Sequence, residues 1–251
     1  MDIFSSLILG FIQGITEFLP VSSSAHLVFA QALIPGFYQP GILFDVFLHG
    51  GTLLAVLIYF RKTILEILTF KNPNLIRVLF IGTLPAGVLG FVFNDFFEST
   101  FSSVWFAAAT LLISGVMNWL VDAKRIANSS QRIGLLTALV IGVFQAIAII
   151  PGISRSSATI FSGVFLGLDR KKSAEFSFLL SVPAIAGAIF LQITKHGFQF
   201  ETSYLGGFIV AFIVGYWSIG FLLKLLQQRK YKIFAIYCWI LGSIVLATQI
   251  L

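Results

Sequence analysis

Charge is what this chain has least of. Only 10% of its 251 residues are Asp, Glu, Lys or Arg, whereas a water-soluble domain carries about 25%. With 58% apolar residues and a mean hydropathy of +0.98, the chain cannot be an ordinary soluble domain and reads as a polytopic membrane protein. Cysteine is nearly missing too: Cys238 stands alone, which excludes an intrachain disulfide and suits a small hydrophobe packed in the last helix. A basic n-region is absent from the N-terminus, where Gln13, Glu17 and Pro20 interrupt the apolar stretch. That segment is therefore expected to stay in the mature protein rather than be cleaved as a signal peptide. No stretch is left over for a soluble domain, so residues 1–251 read as one membrane domain. The net charge of +6 does not imply nucleic acid, because the basic residues lie in short loops with no soluble scaffold to present them.

What is present is apolar sequence in lengths matched to a hydrocarbon core of about 30 Å. Six spans are expected, at about 42–60, 78–93, 101–121, 174–193, 204–223 and 233–251, with Asp95 and Glu98 in an acidic loop between the second and third. Two further segments are interrupted. One runs to Leu19 and breaks at Pro20-Val21-Ser22-Ser23-Ser24 before a short apolar stretch from Ala25 to Ile34; the other, 133–168, breaks at Pro151-Gly152. If both dip into the membrane and return, four basic loops fall on one side. They are Arg61/Lys62/Lys71/Arg77, Lys124/Arg125/Arg132, Arg170/Lys171/Lys172 and Lys224/Arg229/Lys230/Lys232, and they hold 14 of the 16 Lys and Arg residues. The positive-inside rule makes that side cytoplasmic and puts the C-terminus outside.

The same division exposes a repeat of one re-entrant hairpin followed by three spans, about 1–121 and then 133–251. Three crossings invert the second copy. A constant offset of 132 pairs Gly10 with Gly142, Gln13 with Gln145, Ser22 with Ser154, Ser24 with Ser156, Phe44 with Phe176 and Leu48 with Leu180. The expected fold is thus all-α, with inverted-topology repeats, six transmembrane helices and two re-entrant helical hairpins. Such repeats place a binding site near the midplane, where half-helix N-termini converge on an anion.

Arg155 is the only charge between Ile133 and Leu168. An unpaired guanidinium at the bilayer centre costs about 3 kcal/mol on insertion scales, so it should face a cavity or an anion. Pro151-Gly152 ends the preceding helix, and Ser154, Ser156 and Ser157 supply hydroxyls where the next begins, leaving backbone N–H groups beside the arginine. The first break carries Gln13, Glu17, Ser22, Ser23, Ser24 and His26; the second carries Ser154, Arg155, Ser156 and Thr159. Gln13 and Glu17 are four residues apart and share a helix face. Together these groups contain what phosphoryl transfer needs: a cation for the developing charge, hydroxyls and amides to hold oxygens, a carboxylate and an imidazole. Each has a plainer explanation alone, with Glu17 as a structural bridge to Arg155, His26 as a hydrogen-bonded interior histidine and the serines as helix caps. Their convergence on two related breaks favours a site.

These residues resemble the undecaprenyl-diphosphate phosphatases, also called bacitracin-resistance proteins. Residues 13–26, from Gln13-Gly14-Ile15-Thr16-Glu17 through Ser22-Ser23-Ser24-Ala25-His26, look like the family's Glu/Gln-x-x-x-Glu motif with its serine-rich loop and histidine. Residues 151–159 fit its Pro-Gly-x-Ser-Arg-Ser-x-x-Thr motif, and the likeness covers essentially the whole chain. The resemblance implies hydrolysis of undecaprenyl diphosphate to the monophosphate carrier lipid for cell-wall synthesis, in the bacterial inner membrane, at a site opening on its outer face. It implies Glu17, Ser23, His26 and Arg155 as catalytic groups, with Gln13, Ser22, Ser24, Ser154, Ser156 and Thr159 binding substrate. It also implies a divalent cation, Mg or Ca, with Glu17 as its protein ligand. Two departures stand out: Gln13 replaces a common glutamate, which argues against a two-carboxylate clamp, and Ser24-Ala25 stands where Thr-Gly is common.

The nucleophile stays open between Ser23, His26 and water. A transporter or flippase of a polyprenyl phosphate is the main rival, since inverted repeats around an anion site are also transporter architecture; an inert membrane scaffold is a third reading. A homodimer is compatible with the sequence, and the lipid is the one partner the resemblance names. Among remaining polar positions, Asp45 and Glu175 are expected near the interface, His49 to pair with Asp45 along its helix, and Gln145 to lie inside a span. The 28 phenylalanines read as packing and lipid-facing surface, some of it bordering a lateral opening for a polyprenyl tail.

Overall fold

A computed structural model describes residues 2–35, 37, 43–93, 103–124, 130–197, 201–228 and 230–248. The acidic loop with Asp95 and Glu98, the turn at Pro40-Gly41, and Arg125 and Arg229 lie outside the described residues. Eleven helices occupy the rest: α1 Ile3–Phe18, α2 Ser23–Leu33, α3 Leu43–Tyr59, α4 Arg61–Leu68, α5 Pro73–Val92, α6 Val104–Ala123, α7 Leu135–Ile147, α8 Arg155–Phe165, α9 Arg170–His196, α10 Thr202–Gln227 and α11 Lys232–Thr248. Among the described residues extended pairing is limited to one isolated bridge, between Ser130 and Leu168. The fold is all-α and polytopic. Helices α5, α6, α9 and α10 are each long and apolar enough to cross a membrane, while α1, α3, α7 and α11 are shorter apolar helices.

Local chemistry sets the helix starts. Asp2, Ser22, Asn72, Ser103, Ser154 and Asp169 each cap a helix by accepting a backbone N–H with the side chain. Two of these caps move boundaries relative to hydropathy. Asn72, with Pro73 in the first turn, begins α5 ahead of its apolar run, and Asp169 begins α9 at Arg170 through the basic cluster. The loop expected after Arg61 instead holds α4. Its Ile64 and Ile67 pack on a core of Val78, Leu79, Phe176 and Leu180, while Leu65 and Leu68 stay exposed. Eight residues with charges on one side are too short and too polar for hydropathy to mark, yet they form an interfacial turn.

The two hairpins enter from opposite ends. The start of α1 meets the start of α10, where the Ser6 hydroxyl donates to the Ser203 carbonyl at 2.6 Å, and the Phe44 ring of α3 lies tilted against Tyr204 at 5.1 Å between ring centroids. At the other end the Ser130 amide donates to the Gly167 carbonyl at 2.9 Å, so the chain entering α7 and the chain leaving α8 lie together. Arg170 donates to the carbonyls of Val121, Asp122 and Lys124, and the Tyr231 amide donates to Asp122 at 3.1 Å, which gathers three basic loops at that end.

Packing follows the sequence correspondence. Helix α1 lies on α10 and α7 lies on α5. A methyl group added at Gly10 would strike the Gly207 carbonyl, and one at the matching Gly142 would strike the Gly82 carbonyl. Both crossings therefore depend on bare backbone, the usual device where lipid gives helices no hydrophobic push together. Phe44 and Phe176 are both buried, as are Leu48 and Leu180. Outer faces stay apolar: Trp217 is 73% exposed and Phe190 70%, a surface matched to hydrocarbon rather than water.

Candidate active site

The hairpin tips are irregular backbone deep in the protein, so each of their carbonyls needs a donor. Much of that supply comes from one stripe on α6. Thr110 donates to the Pro151 carbonyl, Ser114 to the Gly152 carbonyl at 3.0 Å, and Asn118 to the Pro20 carbonyl at 2.6 Å. The Ser114 hydroxyl also accepts the Ser154 amide at 2.8 Å, and the Asn118 side-chain oxygen accepts from the Ser157 hydroxyl at 2.9 Å. The tips then bond directly. Ser156 donates to the Leu19 carbonyl at 3.0 Å, Ser157 to the Pro20 carbonyl at 2.9 Å, and the Gly152 amide to the Ser24 hydroxyl at 3.3 Å.

Backbone geometry at both tips is unusual. Gly152 has φ +91°, and a side chain there would strike the Ala107 carbonyl and the Thr110 hydroxyl. Ser22 adopts φ 69° without being glycine, a conformation that costs about 1–3 kcal/mol and must be held by its surroundings. Those surroundings are its capping bond to the Ala25 amide and a 3.1 Å contact with the Ser24 hydroxyl. Ser154 repeats both features, capping α8 at the Ser157 amide and lying 3.0 Å from the Ser156 hydroxyl.

At the meeting point Glu17 faces Arg155. Glu17 Oε1 accepts from the guanidinium at 2.8 Å; Oε2 accepts from the Ser23 hydroxyl at 2.7 Å and the Gln13 amide at 3.1 Å. The second guanidinium nitrogen donates to the Ser177 carbonyl at 3.0 Å, which fixes the plane of the group. Arg155 opens α8, and Glu17 is the anion that its guanidinium holds. His49 Nε2 sits 3.6 Å from Glu17 Oε2, while its Nδ1 donates to the Asp45 carbonyl at 2.7 Å.

These groups border a cavity of about 990 Å³. Glu17, Ser22, Ser23, Ser24, Asp45, His49, Gln145, Ser154 and Arg155 form its polar end, and Ala86, Gly87, Phe91, Pro183, Ile185 and Ile189 are among the apolar residues that extend it between α5 and α9. The arrangement can hold an anionic headgroup at one end and an apolar chain along the other.

Residues 6–244 match the family model of the bacitracin resistance protein BacA. The chain is similar to proteins named undecaprenyl-diphosphatase: 39% identical to that of Syntrophotalea carbinolica over 98% of this chain and 99% of that protein, and 41% identical to that of Halothermothrix orenii over 98% of each. It is 40% identical to undecaprenyl-diphosphatase 3 of Bacillus cereus, over 99% of this chain and 98% of that protein. The chain belongs to the bacitracin resistance protein family.

Within this family member the structure sorts the expected site residues. Glu17, Ser22, Ser23, Ser24, Ser154 and Arg155 come together at the cavity. Gln13 is fully buried and acts through Glu17 and Thr52 rather than lining the cavity. Ser156 and Thr159, expected to hold phosphate, are buried and used internally, Ser156 on the first tip and Thr159 on the Arg155 carbonyl at 2.7 Å and Ser177 hydroxyl at 2.7 Å. His26 turns away from the cavity. Its Nδ1 donates to the Ser22 carbonyl at 2.8 Å, its Nε2 lies 2.7 Å from the Tyr237 hydroxyl, and the two rings stack 5.6 Å apart.

Three groups escaped the sequence reading as site members. Asp45, expected at the interface, lines the cavity and accepts from the Gln31 amide at 2.7 Å. His49, expected to pair with the Asp45 side chain, bonds its carbonyl instead and aims its free nitrogen at Glu17. Gln145 lines the cavity with both side-chain polar atoms unpartnered, a burial that costs about 1–3 kcal/mol if nothing meets it. The available signal was the repeat: Gln145 is the counterpart of Gln13.

Proposed function

We propose that this protein is an integral-membrane phosphatase that hydrolyses undecaprenyl diphosphate to undecaprenyl phosphate and inorganic phosphate. One observation carries the chemistry: the Ser23 hydroxyl donates to a carboxylate that is also held by the one arginine at the cavity end. A nucleophile hydrogen-bonded to its base, beside a fixed cation, is the arrangement covalent phosphoryl transfer requires. The terminal phosphoryl group enters between Arg155 and Ser23, with Ser22, Ser24 and Ser154 holding its oxygens. Glu17 takes the Ser23 proton as Ser23 Oγ bonds to phosphorus and passes it to the bridging oxygen as that P–O bond breaks, releasing the lipid monophosphate and leaving Glu17 ionised. Water, giving a proton back through Glu17, then cleaves the serine phosphate to inorganic phosphate. The guanidinium neutralises charge on the equatorial oxygens in both steps. His26, through the Ser22 carbonyl, steadies the strained loop that carries Ser23.

A divalent cation belongs to this reading. Among the described residues no three His, Cys, Asp or Glu side chains cluster as a protein-only cage; Glu17, the carboxylate beside Arg155 at the cavity, is the side chain that would share such an ion with substrate phosphate oxygens. Bound there, it would neutralise phosphate charge.

The charge pattern supports a setting for the site. The cavity is lined by the ends of α3, α5 and α9 that lie away from the basic loops, so with those loops cytoplasmic it opens on the outer side of the inner membrane. A carrier for a lipid phosphate would need the cation and amides but no hydroxyl held on a carboxylate. The experiment is phosphate release from a C55 diphosphate by the purified protein in detergent, with the phosphorylated serine trapped by acid quench. Turnover that disappears in Ser23→Ala, with phosphate found on Ser23 in the parent, supports the reading; binding without release overturns it.

A further inference from the structure

We propose that Gln145 is a substrate-binding residue that holds the phosphate remaining on the lipid, and so separates the two phosphates of the headgroup between two subsites. The inference rests on the phosphatase reading and deepens it. Gln145 is 3% exposed, lines the cavity, and has neither its amide nitrogen nor its amide oxygen bonded within the protein. Gln13, its counterpart in the first hairpin, shows what this position does when it has a protein partner: its amide donates to Glu17 and Thr52. At Gln145 the matching neighbours are apolar, since Ile149 stands where Glu17 does and Ala184 where Thr52 does. The same carboxamide thus lacks, in a residue that lines the cavity, the side-chain partners that Gln13 has.

Position decides which phosphate it meets. Glu17, Ser23 and Arg155 define the end where the terminal group reacts. Gln145 lies on α7, one turn before Ile149, and α7 packs on α5, whose Thr83, Ala86, Gly87 and Gly90 line the apolar stretch of the cavity. A side chain added at Gly90 would touch Ile149, so the wall carrying Gln145 leads directly onto the tail channel. A diphosphate laid from Arg155 toward that channel brings its ester phosphate past Gln145. An N–H donated there stabilises the charge that develops on the departing monophosphate and still holds the product until release.

The test compares two inhibitors of phosphate release by purified protein in detergent: undecaprenyl phosphate, which carries the retained phosphate and the tail, and inorganic phosphate, which engages the reacting end alone. Gln145→Met, of matching length but apolar, and Gln145→Glu, of matching shape but anionic, are each expected to weaken inhibition by undecaprenyl phosphate about tenfold, the scale of one hydrogen bond to a charged group. Inhibition by inorganic phosphate should stay at the parent value. Unchanged inhibition by the lipid phosphate in both variants, as expected if Gln145 only retains a buried water, overturns the proposal. Equal weakening of both inhibitors also overturns it, since Gln145 would then support the whole site. Should the parent release no phosphate, the phosphatase reading fails by itself, and direct binding of undecaprenyl phosphate followed by tryptophan fluorescence still decides the role of Gln145.

Discussion

Arg155 makes a different bond with each of its terminal nitrogens, one to the Glu17 carboxylate and one to the Ser177 carbonyl. A lysine has one point of attachment and cannot keep both while also meeting a phosphate. Arg155→Lys is therefore expected to lower kcat by about 100-fold, measured as phosphate release at saturating lipid. Glu17 is the second residue on which the site turns, because it holds the arginine and, in the proposed mechanism, receives the Ser23 proton. Glu17→Gln keeps the shape and loses the base, so it should bind lipid diphosphate yet release no phosphate; release at the parent rate would remove Glu17 as the base. Chelation reads the same residue from another side. If Glu17 shares a divalent cation with the substrate, removal of metal by EDTA abolishes turnover in the parent, and added Mg or Ca restores it.

At the scale of elements, α6 is the splint. Thr110, Ser114 and Asn118 recur every four residues and face both tips, so one side of an otherwise apolar helix is committed to four tip carbonyls and amides. Asn118→Ala takes one of the donors from the Pro20 carbonyl and one of the acceptors from the Ser157 hydroxyl, leaving these two groups bonded to each other in a fully buried place. The expected loss is about 1 kcal/mol, seen as a lower unfolding temperature in detergent. How much was legible from sequence divides along similar lines. Breaks at Pro20 and Pro151 and the caps at Ser22 and Ser154 are local chemistry, and the structure uses each of them. The α6 stripe, the cavity-facing turn of His49 and the outward turn of His26 depend on which neighbour a helix face meets. Spacing alone does not carry that information. Helix α4 was hidden for another reason: its apolar face is satisfied by one edge of the α9 and α5 core, so too few residues are involved for hydropathy to register.

For the whole molecule, the two hairpins open at opposite ends, and the described residues 122–124, 130, 167–172 and 231 of the basic loops gather at one of them. Cys238 is buried, so a Cys238→Ser background leaves a clean surface for labelling. Single cysteines introduced at Lys62 and Lys172 are expected to react with a membrane-impermeant maleimide only after the cytoplasmic side is exposed, and one at Gln31 from the outer side. Reaction of Lys172→Cys from outside would invert the orientation.

Leu19 and Pro20 accept hydrogen bonds from Ser156 and Ser157, residues that emerge from the ribosome only after more than half the chain has been made. Until then the Pro20 carbonyl is met by the Asn118 amide and the Leu19 carbonyl by the Val21 amide, but the bend lacks the bonds that the second hairpin brings. Docking of that later hairpin is what completes the tip. A nascent chain arrested before that point is an unfinished client for membrane quality control rather than a half-built enzyme.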